Sequence, residues 1–527
     1  MHESELLILV LLVVLPTLSV VARQTNVPYP ILLVVAGLIL GALPGLPDPE
    51  LDPDLVLVIF LPPLLYYAAF AADLRDMRSN LRPLTLLSVG LVIVTAAAVA
   101  VVARAWLDMP WAVAFALGGI LAPTDPIAAT AIMRRLGVPR RQVNVIEGES
   151  LLNDGTALVI YRAGVAAAIG GTFSLAEASL EFFGGIVGGI AIGLAVGWLI
   201  ARIRARIDDI PTEITISLFT GYAAYLPAEQ LGVSGVLAAV TAGIVLGWMA
   251  PRIASAQMRL QGYATWEIVT FLLNGVLFVL IGLQLPHVLD GIGGRSTAEL
   301  IGYALAFFVL VVVTRWVWMN TTVFLVRAID RRPALIPRRT TWRERLIGAW
   351  SGMRGGVSLA AALALPFETD AGAPFPQRDL IVFITFSVVV LTVVVQGLTL
   401  PLLVRALGVH EDGAAEEREE LRARLTAAKA ALAELDALED DGAIREDTLE
   451  RMRGLYHYRK RRFAARAGKL EDDGFEDRSL AYQQAVRRVL DAQREALVGL
   501  RNAGDISSDV MRRVERELDL EDTRLEI

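Results

Sequence analysis

The chain has 527 residues, 55% of them hydrophobic, with a positive mean hydropathy. So long an apolar chain excludes an ordinary soluble domain and points to an all-α polytopic membrane protein. The lack of cysteine and the four scattered histidines (His2, His287, His410, His457) exclude a disulfide framework, a thiolate metal site and a histidine-based metal centre.

The charge divides the chain. Met1–His410 holds 27 basic and 27 acidic residues, whereas Glu411–Ile527 holds 22 and 29, so the net charge of −7 belongs to the second part. All three lysines (Lys429, Lys460, Lys469) also lie there. Residues 1–410 read as a transmembrane transporter domain and 411–527 as a charged helical cytoplasmic tail. The N-terminus, with Glu3 and Glu5 and no basic region, does not read as a cleavable signal.

Apolar runs of about 20 residues mark membrane spans. They predict thirteen, at 5–22, 29–46, 54–72, 83–103, 109–133, 142–169, 176–201, 212–227, 232–250, 265–284, 299–326, 343–365 and 379–406. Alternate loops then carry 20 arginines, among them Arg331, Arg332, Arg338 and Arg339, against Arg104, Arg295 and Arg378 in the opposite loops. By the positive-inside rule the N-terminus is outside and the tail cytoplasmic. The acidic Asp48–Asp54 loop then falls outside. Arg162, Arg315 and Arg354 remain within spans, and sequence alone gives no place to Arg162 or Arg315.

Two spans look interrupted. The fifth contains Pro123-Thr124-Asp125-Pro126, where two prolines break the helix. The twelfth contains Gly352-Met353-Arg354-Gly355-Gly356. Each break is fifth in a set of six spans if 1–6 and 8–13 are inverted repeats, and paired breaks of this kind point to a midplane transport site. In the tail, Leu421, Leu425, Ala428, Leu432 and Leu435 form one apolar helix face. It suits either a short coiled-coil contact or helices packing together in a small domain.

The sixth span carries the unusual chemistry: Glu147-Gly148-Glu149-Ser150-Leu151-Leu152-Asn153-Asp154-Gly155-Thr156. Ionisable groups at mid-membrane are costly and mark function. Ser150 and Asp154 share a helix face, with Glu147 about 10 Å further along at 1.5 Å per residue, at a cytoplasmic mouth. Carboxylate, hydroxyl and amide oxygens suit a hard cation. Asp154 can hold a cation or a proton, the minimum for exchange. Thr124 reads as a ligand through its carbonyl or hydroxyl, and Asp125 as a second ligand or a helix cap. Arg354 needs a carboxylate partner in the membrane. Glu149 is the expected one, with Asp125 and Asp154 as rivals. Pro62-Pro63 with Tyr66 and Tyr67 reads as an ion path or inhibitor contact, or as plain lipid- or helix-facing aromatics. Glu267 and Asn274 add weak polar signals in span ten.

Together, the Pro-Thr-Asp-Pro break, Gly148-Glu-Ser-Leu-Leu-Asn-Asp-Gly-Thr-Ala157 and Arg354-Gly-Gly-Val-Ser-Leu-Ala360 resemble the monovalent cation:proton antiporter-1 family, in its bacterial sodium/proton exchanger branch. The resemblance spans about residues 5–406. It implies a homodimer with dimerisation and core subdomains, exchanging a cation for a proton as the core moves. It implies that Asn153 and Asp154 are the asparagine-aspartate motif, with Thr124, Asp125 and Ser150 beside them. It also implies a Glu149–Arg354 pair. One departure is that relatives often carry an acid in span three, where this chain has Tyr66-Tyr67-Ala68-Ala69, with Asp73 the nearest acid.

The expectation is a secondary antiporter of a prokaryotic plasma membrane, serving pH homeostasis by exchanging Na+ for H+ by alternating access, with Li+ or K+ as alternatives. It is not an enzyme, has no cofactor and has no nucleic-acid partner. Asp154, Ser150 and Thr124 would hold the sodium ion. Rival readings are a K+-selective antiporter, an ion channel, a transporter-like sensor and an intramembrane aspartyl protease. The protease lacks the expected residues around Asp154.

Overall fold

In the computed structural model, residues 3–25, 27–43, 53–170, 175–284, 288–289, 292, 295–329, 340–410, 414–441, 444–466 and 475–526 are described. His2, Asp48, Glu50, Asp52, His287, Arg331, Arg332, Arg338, Arg339 and Lys469 lie outside them. The chain separates into two compact units, Met1–His410 and Glu411–Ile527.

The first unit is helical. In chain order it comprises α1 (Glu3–Thr25), α2 (Tyr29–Gly41), α3 (Pro53–Ala71), α4 (Leu81–Leu107), α5 (Trp111–Leu121), α6 (Ile127–Arg135) and α7 (Arg140–Gly170). Then follow α8 (Leu175–Arg204), α9 (Ile210–Gln230), α10 (Gly235–Ile253), α11 (Ala256–Leu283) and α12 (Thr297–Ile329). The last are α13 (Trp342–Trp350), α14 (Gly356–Leu363) and α15 (Arg378–Leu407). A short helix, Leu74–Ser79, precedes α4 and is capped by Asp73, whose carboxylate accepts from the Arg75 and Asp76 amides. Apolar runs become helices because a helix satisfies its own backbone where no water can. Six helices among the described residues are long and apolar enough to cross a membrane unaided: α4, Phe183–Arg204 of α8, α10, α11, Thr297–Phe324 of α12, and α15.

Small residues set how closely these helices approach, as expected where lipid gives apolar side chains no reason to avoid it. A Cβ on Gly282 of α11 would come within 2.6 Å of the Gly37 carbonyl carbon of α2. A Cβ on Gly119 of α5 would lie 2.6 Å from the Tyr161 amide nitrogen of α7, and one on Gly164 of α7 would lie 2.7 Å from that of Ala116. These backbone contacts hold α5 and α7 together, and so hold the residues after α5 against the middle of α7.

Both expected interruptions are present. Residues 122–126 separate α5 from α6, and residues 351–355 separate α13 from α14. Wider π turns at Leu86–Leu91 in α4 and Thr392–Gln396 in α15 interrupt the regular α-helical hydrogen bonding of two of the long helices.

The second unit contains α16 (Ala414–Asp440), α17 (Glu446–Arg466), α18 (Phe475–Ala503) and α19 (Ser508–Glu526). Leu421, Leu425, Ala428 and Leu435 are buried along one face of α16, and Leu421 and Leu425 cluster with Phe463 of α17. Helices packing on one another within the unit account for the apolar spacing.

Candidate functional site

The two breaks meet. The Asp125 amide donates to the Met353 carbonyl at 2.8 Å, joining the extended segments directly. The Arg354 guanidinium donates from Nη1 to the carbonyls of Ala122 and, at 2.6 Å, Pro123. Those carbonyls follow the end of α5, where the prolines leave no continuing helix to bond them. A cation there also complements the negative C-terminal end of the helix dipole. The Asp125 carboxylate accepts from the Ile127 amide at 2.9 Å, at the first turn of α6. It packs against Gly355, where any Cβ would overlap it. Arg354 is further fixed by its amide, which donates to the Thr392 hydroxyl at 3.0 Å in the π turn of α15.

α7 runs past this crossing, with Glu149, Ser150, Asn153 and Asp154 all buried. Thr124 is the hub. Its carbonyl accepts from the Ser150 hydroxyl at 2.7 Å, and its hydroxyl accepts from Asn153 Nδ2 at 2.9 Å. The same hydroxyl donates to Glu149 at 3.3 Å. Thr124, Ser150, Asn153 and Asp154 are therefore brought together, with Asp125 one residue away on the break.

The pairing expected for Glu149 is corrected by this geometry. Glu149 is held by Arg315 of α12, which reaches both carboxylate oxygens through Nη1 and, at 2.8 Å, Nη2. Arg315 also donates from Nε to the Gly348 carbonyl of α13 at 3.0 Å. A Cβ on Gly352 would lie 2.5 Å from Arg315 Cδ, so the glycine makes room for this side chain. Arg354 instead serves freed carbonyls. The physical reason is positional: Arg354 sits on the break itself, beside backbone acceptors, while Arg315 comes from a neighbouring intact helix and faces the carboxylate. Each broken helix thus has an arginine on carbonyls at the C-terminal end of its first half.

The remaining polar residues sort as follows. Glu147 is half-buried and paired with Arg134 at 2.7 Å, near the ends of α6 and α7. Arg162 pairs with Glu229 of α9 at 2.6 Å. Glu267 is exposed, and Arg259 donates to the Ala254 carbonyl at 2.7 Å. Tyr66 and Tyr67 pack in an aromatic cluster: Tyr66 bonds the Ser217 hydroxyl, which also takes the Trp266 indole N–H at 3.0 Å, and Tyr67 stacks on Trp266 at 4.9 Å. The helix-contact reading of these aromatics matches this packing.

Two acceptors at the site are left open. Among the described residues, no hydrogen bond or ion pair engages the Asp154 carboxylate, and Asn153 Oδ1 is buried without a donor. An ionised carboxylate in such surroundings needs a counter-charge or a proton. Oxygen donors from carboxylate, amide and hydroxyl groups are a set that a small hard cation accepts.

Comparison with known proteins gives the family and the fold. The family model described as sodium/hydrogen exchanger, transmembrane, matches residues 8–406. An uncharacterized Na(+)/H(+) exchanger of Mycobacterium tuberculosis is 38% identical over 96% of this chain and 93% of its own. A low-affinity Na(+)/H(+) antiporter, NhaS1, of Synechocystis is 31% identical over 97% of this chain and 94% of its own. A sodium, potassium, lithium and rubidium/H(+) antiporter of Bacillus subtilis is 32% identical over 76% of this chain and 61% of its own. The solved sodium proton antiporter MjNhaP1 of Methanocaldococcus jannaschii shares the fold, with a TM-score of 0.60 at 19% identity, over 77% of this chain and 99% of that one. The chain belongs to the sodium/hydrogen exchanger family of multi-pass membrane antiporters, in which the transported ions are substrates and no cofactor takes part.

Proposed function

We propose that this protein exchanges Na+ for H+ across a prokaryotic plasma membrane by alternating access, with cation and proton competing for Asp154. The observation that carries this reading is the buried Asp154 carboxylate, without a partner among the described residues, beside two breaks where Asp125, Arg354 and the Glu149–Arg315 pair are engaged. A group already paired would gain little from a cation. An unpaired one binds either a cation or a proton, and holding both is unfavourable. Asn153 Oδ1, Ser150 and Thr124 supply further oxygens for Na+, while Asp125 caps α6. Glu149 and Arg315 act as a structural brace, and Glu147 lies at the cytoplasmic mouth.

In this reading the shorter and interrupted apolar helices cross the membrane as well. The chain then has thirteen spans in two inverted six-span repeats, with the N-terminus outside and the tail cytoplasmic. Residues 1–410 form the dimerisation and core subdomains of a homodimer that serves pH homeostasis. A K+ or Li+ substrate is the second reading. It is favoured by the tyrosines that stand in span three where relatives often carry an acid, and by the substrate range in the name of the Bacillus subtilis relative.

The test is dissipation of a pH gradient in proteoliposomes by Na+, K+ and Li+ in turn, with and without an imposed membrane potential. Asp154→Asn is expected to abolish exchange while the protein remains folded and of unchanged oligomeric state. Exchange at the wild-type rate from that variant would overturn the assignment. Non-saturating currents would indicate a channel instead.

A further inference from the structure

One face of α7 looks across to α3, α9 and α10. Leu151, Gly155, Leu158 and Arg162 follow at intervals of four, three and four residues, so they stand on one side of the helix. Leu151 is buried with Leu61 and Leu65 of α3, Tyr225 of α9 and Val236 of α10, and Leu158 packs against the same cluster. A Cβ on Gly155 would lie 3.3 Å from the Leu237 side chain of α10. Asp154 therefore immediately precedes a point where α7 and α10 touch. Arg162 lies about 12 Å further along α7 than Asp154, at 1.5 Å per residue. There the apolar seam ends in a charged contact, in which Arg162 Nη2 donates to Glu229 Oε2 at 2.6 Å.

The two partners are held differently. Glu229 stands in the last turn of α9, where the helix dipole disfavours a carboxylate. Its other oxygen, Oε1, accepts from the Gly235 amide at 3.0 Å, in the first turn of α10 after the Ser234 cap. A Cβ on Gly235 would come within 2.8 Å of that oxygen, so the glycine admits the carboxylate. The turn between α9 and α10 thus fixes Glu229, and Arg162 reaches it from a different part of the fold. Apolar contact is non-directional and survives small sliding. A charge-assisted hydrogen bond depends on distance and angle, so it is either made or lost. The side chains are 49% and 26% exposed, so water can take up both charges when they part. We infer that Arg162 and Glu229 form a latch that ties α7 to the α9–α10 turn, on the side of Asp154 away from Glu147, and that the latch opens in each transport cycle. The inference rests on the exchange reading: in the orientation proposed there, this side is the outer one. The closed latch then shuts Asp154 off from the outside, and the open one admits it.

The chain has no cysteine, so an introduced one is its only thiol. Leu158→Cys places that thiol on the same face of α7, one turn nearer Asp154 than Arg162. A membrane-impermeant maleimide is added to intact cells making this variant, and the labelling rate is followed. Adding Arg162→Gln, Glu229→Gln or both should speed labelling by the same factor, about two- to fivefold for a half-exposed pair. The glutamine at 229 still offers an oxygen to the Gly235 amide, and Arg162→Lys, which keeps the charge, should keep labelling slow. In a second arm, R162C/E229C is bridged by a short bifunctional thiol reagent in proteoliposomes. Exchange should stop and return on reduction, while each single cysteine treated alike keeps exchanging. Unchanged labelling in the glutamine variants, effects that multiply in the double variant, or undiminished exchange by the bridged protein would overturn the latch. Labelling is read without exchange, so a wild type that exchanges no ions would strike the antiporter reading while the labelling still decides whether the contact gates access.

Discussion

Glu149 and Arg315 form a pair almost sealed from solvent, with side chains 1% and 2% exposed. Two charges buried together are individually expensive, and removing one strands the other at about 3–5 kcal/mol. Arg315→Gln should therefore lower the melting temperature in detergent sharply. The double variant Glu149→Leu with Arg315→Met should recover much of that loss, because it removes both charges. Equal melting temperatures for the single and double variants would show that the unpaired carboxylate is not the cause. Asp154 is the opposite case. In the proposed exchange a transported ion or a proton neutralises it in turn, so its amide variant is expected to fold and not to exchange. Arg315 also illustrates a limit of sequence reading. An arginine in a long apolar run announces that it needs an acid, but Glu149 lies 166 positions away and Arg354 is an equally good claimant on composition.

At the scale of elements, the two breaks depend on residues that lack something. Pro123 and Pro126 lack amide protons, and the glycines of residues 351–356 lack side chains where other groups must pass. Gly355 faces the Asp125 carboxylate and Gly352 faces Arg315. Gly355→Ala should displace Asp125 from the Ile127 amide, cost about 1–3 kcal/mol as an overpacked site, and slow exchange. Gly184→Ala on α8, which meets nothing within 4 Å, should leave melting temperature and exchange unchanged. Matching melting temperatures and rates for the two variants would refute the steric account. The breaks were legible as Pro-x-x-Pro and as a glycine-rich stretch around a lone arginine. That they touch, through the Asp125 amide and the Met353 carbonyl, was not.

At the scale of the whole molecule, the charge boundary near residue 410 coincides with the division into compact units at His410. A chain ending at His410 is expected to fold, insert and retain Na+-dependent dissipation of a pH gradient in proteoliposomes, because every residue of the candidate site lies before that point. Loss of exchange in a folded truncated protein would show that the tail is needed for the activity itself.

Apolar length and local composition by themselves determined where the helices lie, where two of them break, and which helix carries the unusual acids. Those properties depend on neighbours in the chain, through backbone hydrogen bonding and the exclusion of water. Only the tertiary structure decided which arginine holds Glu149, which carbonyls Arg354 takes, and that Asp154 is left without a partner among the described residues. It also brought Arg162 to Glu229. Pairing in a low-dielectric interior is settled by distance and direction between groups far apart in the chain, and no local pattern encodes either.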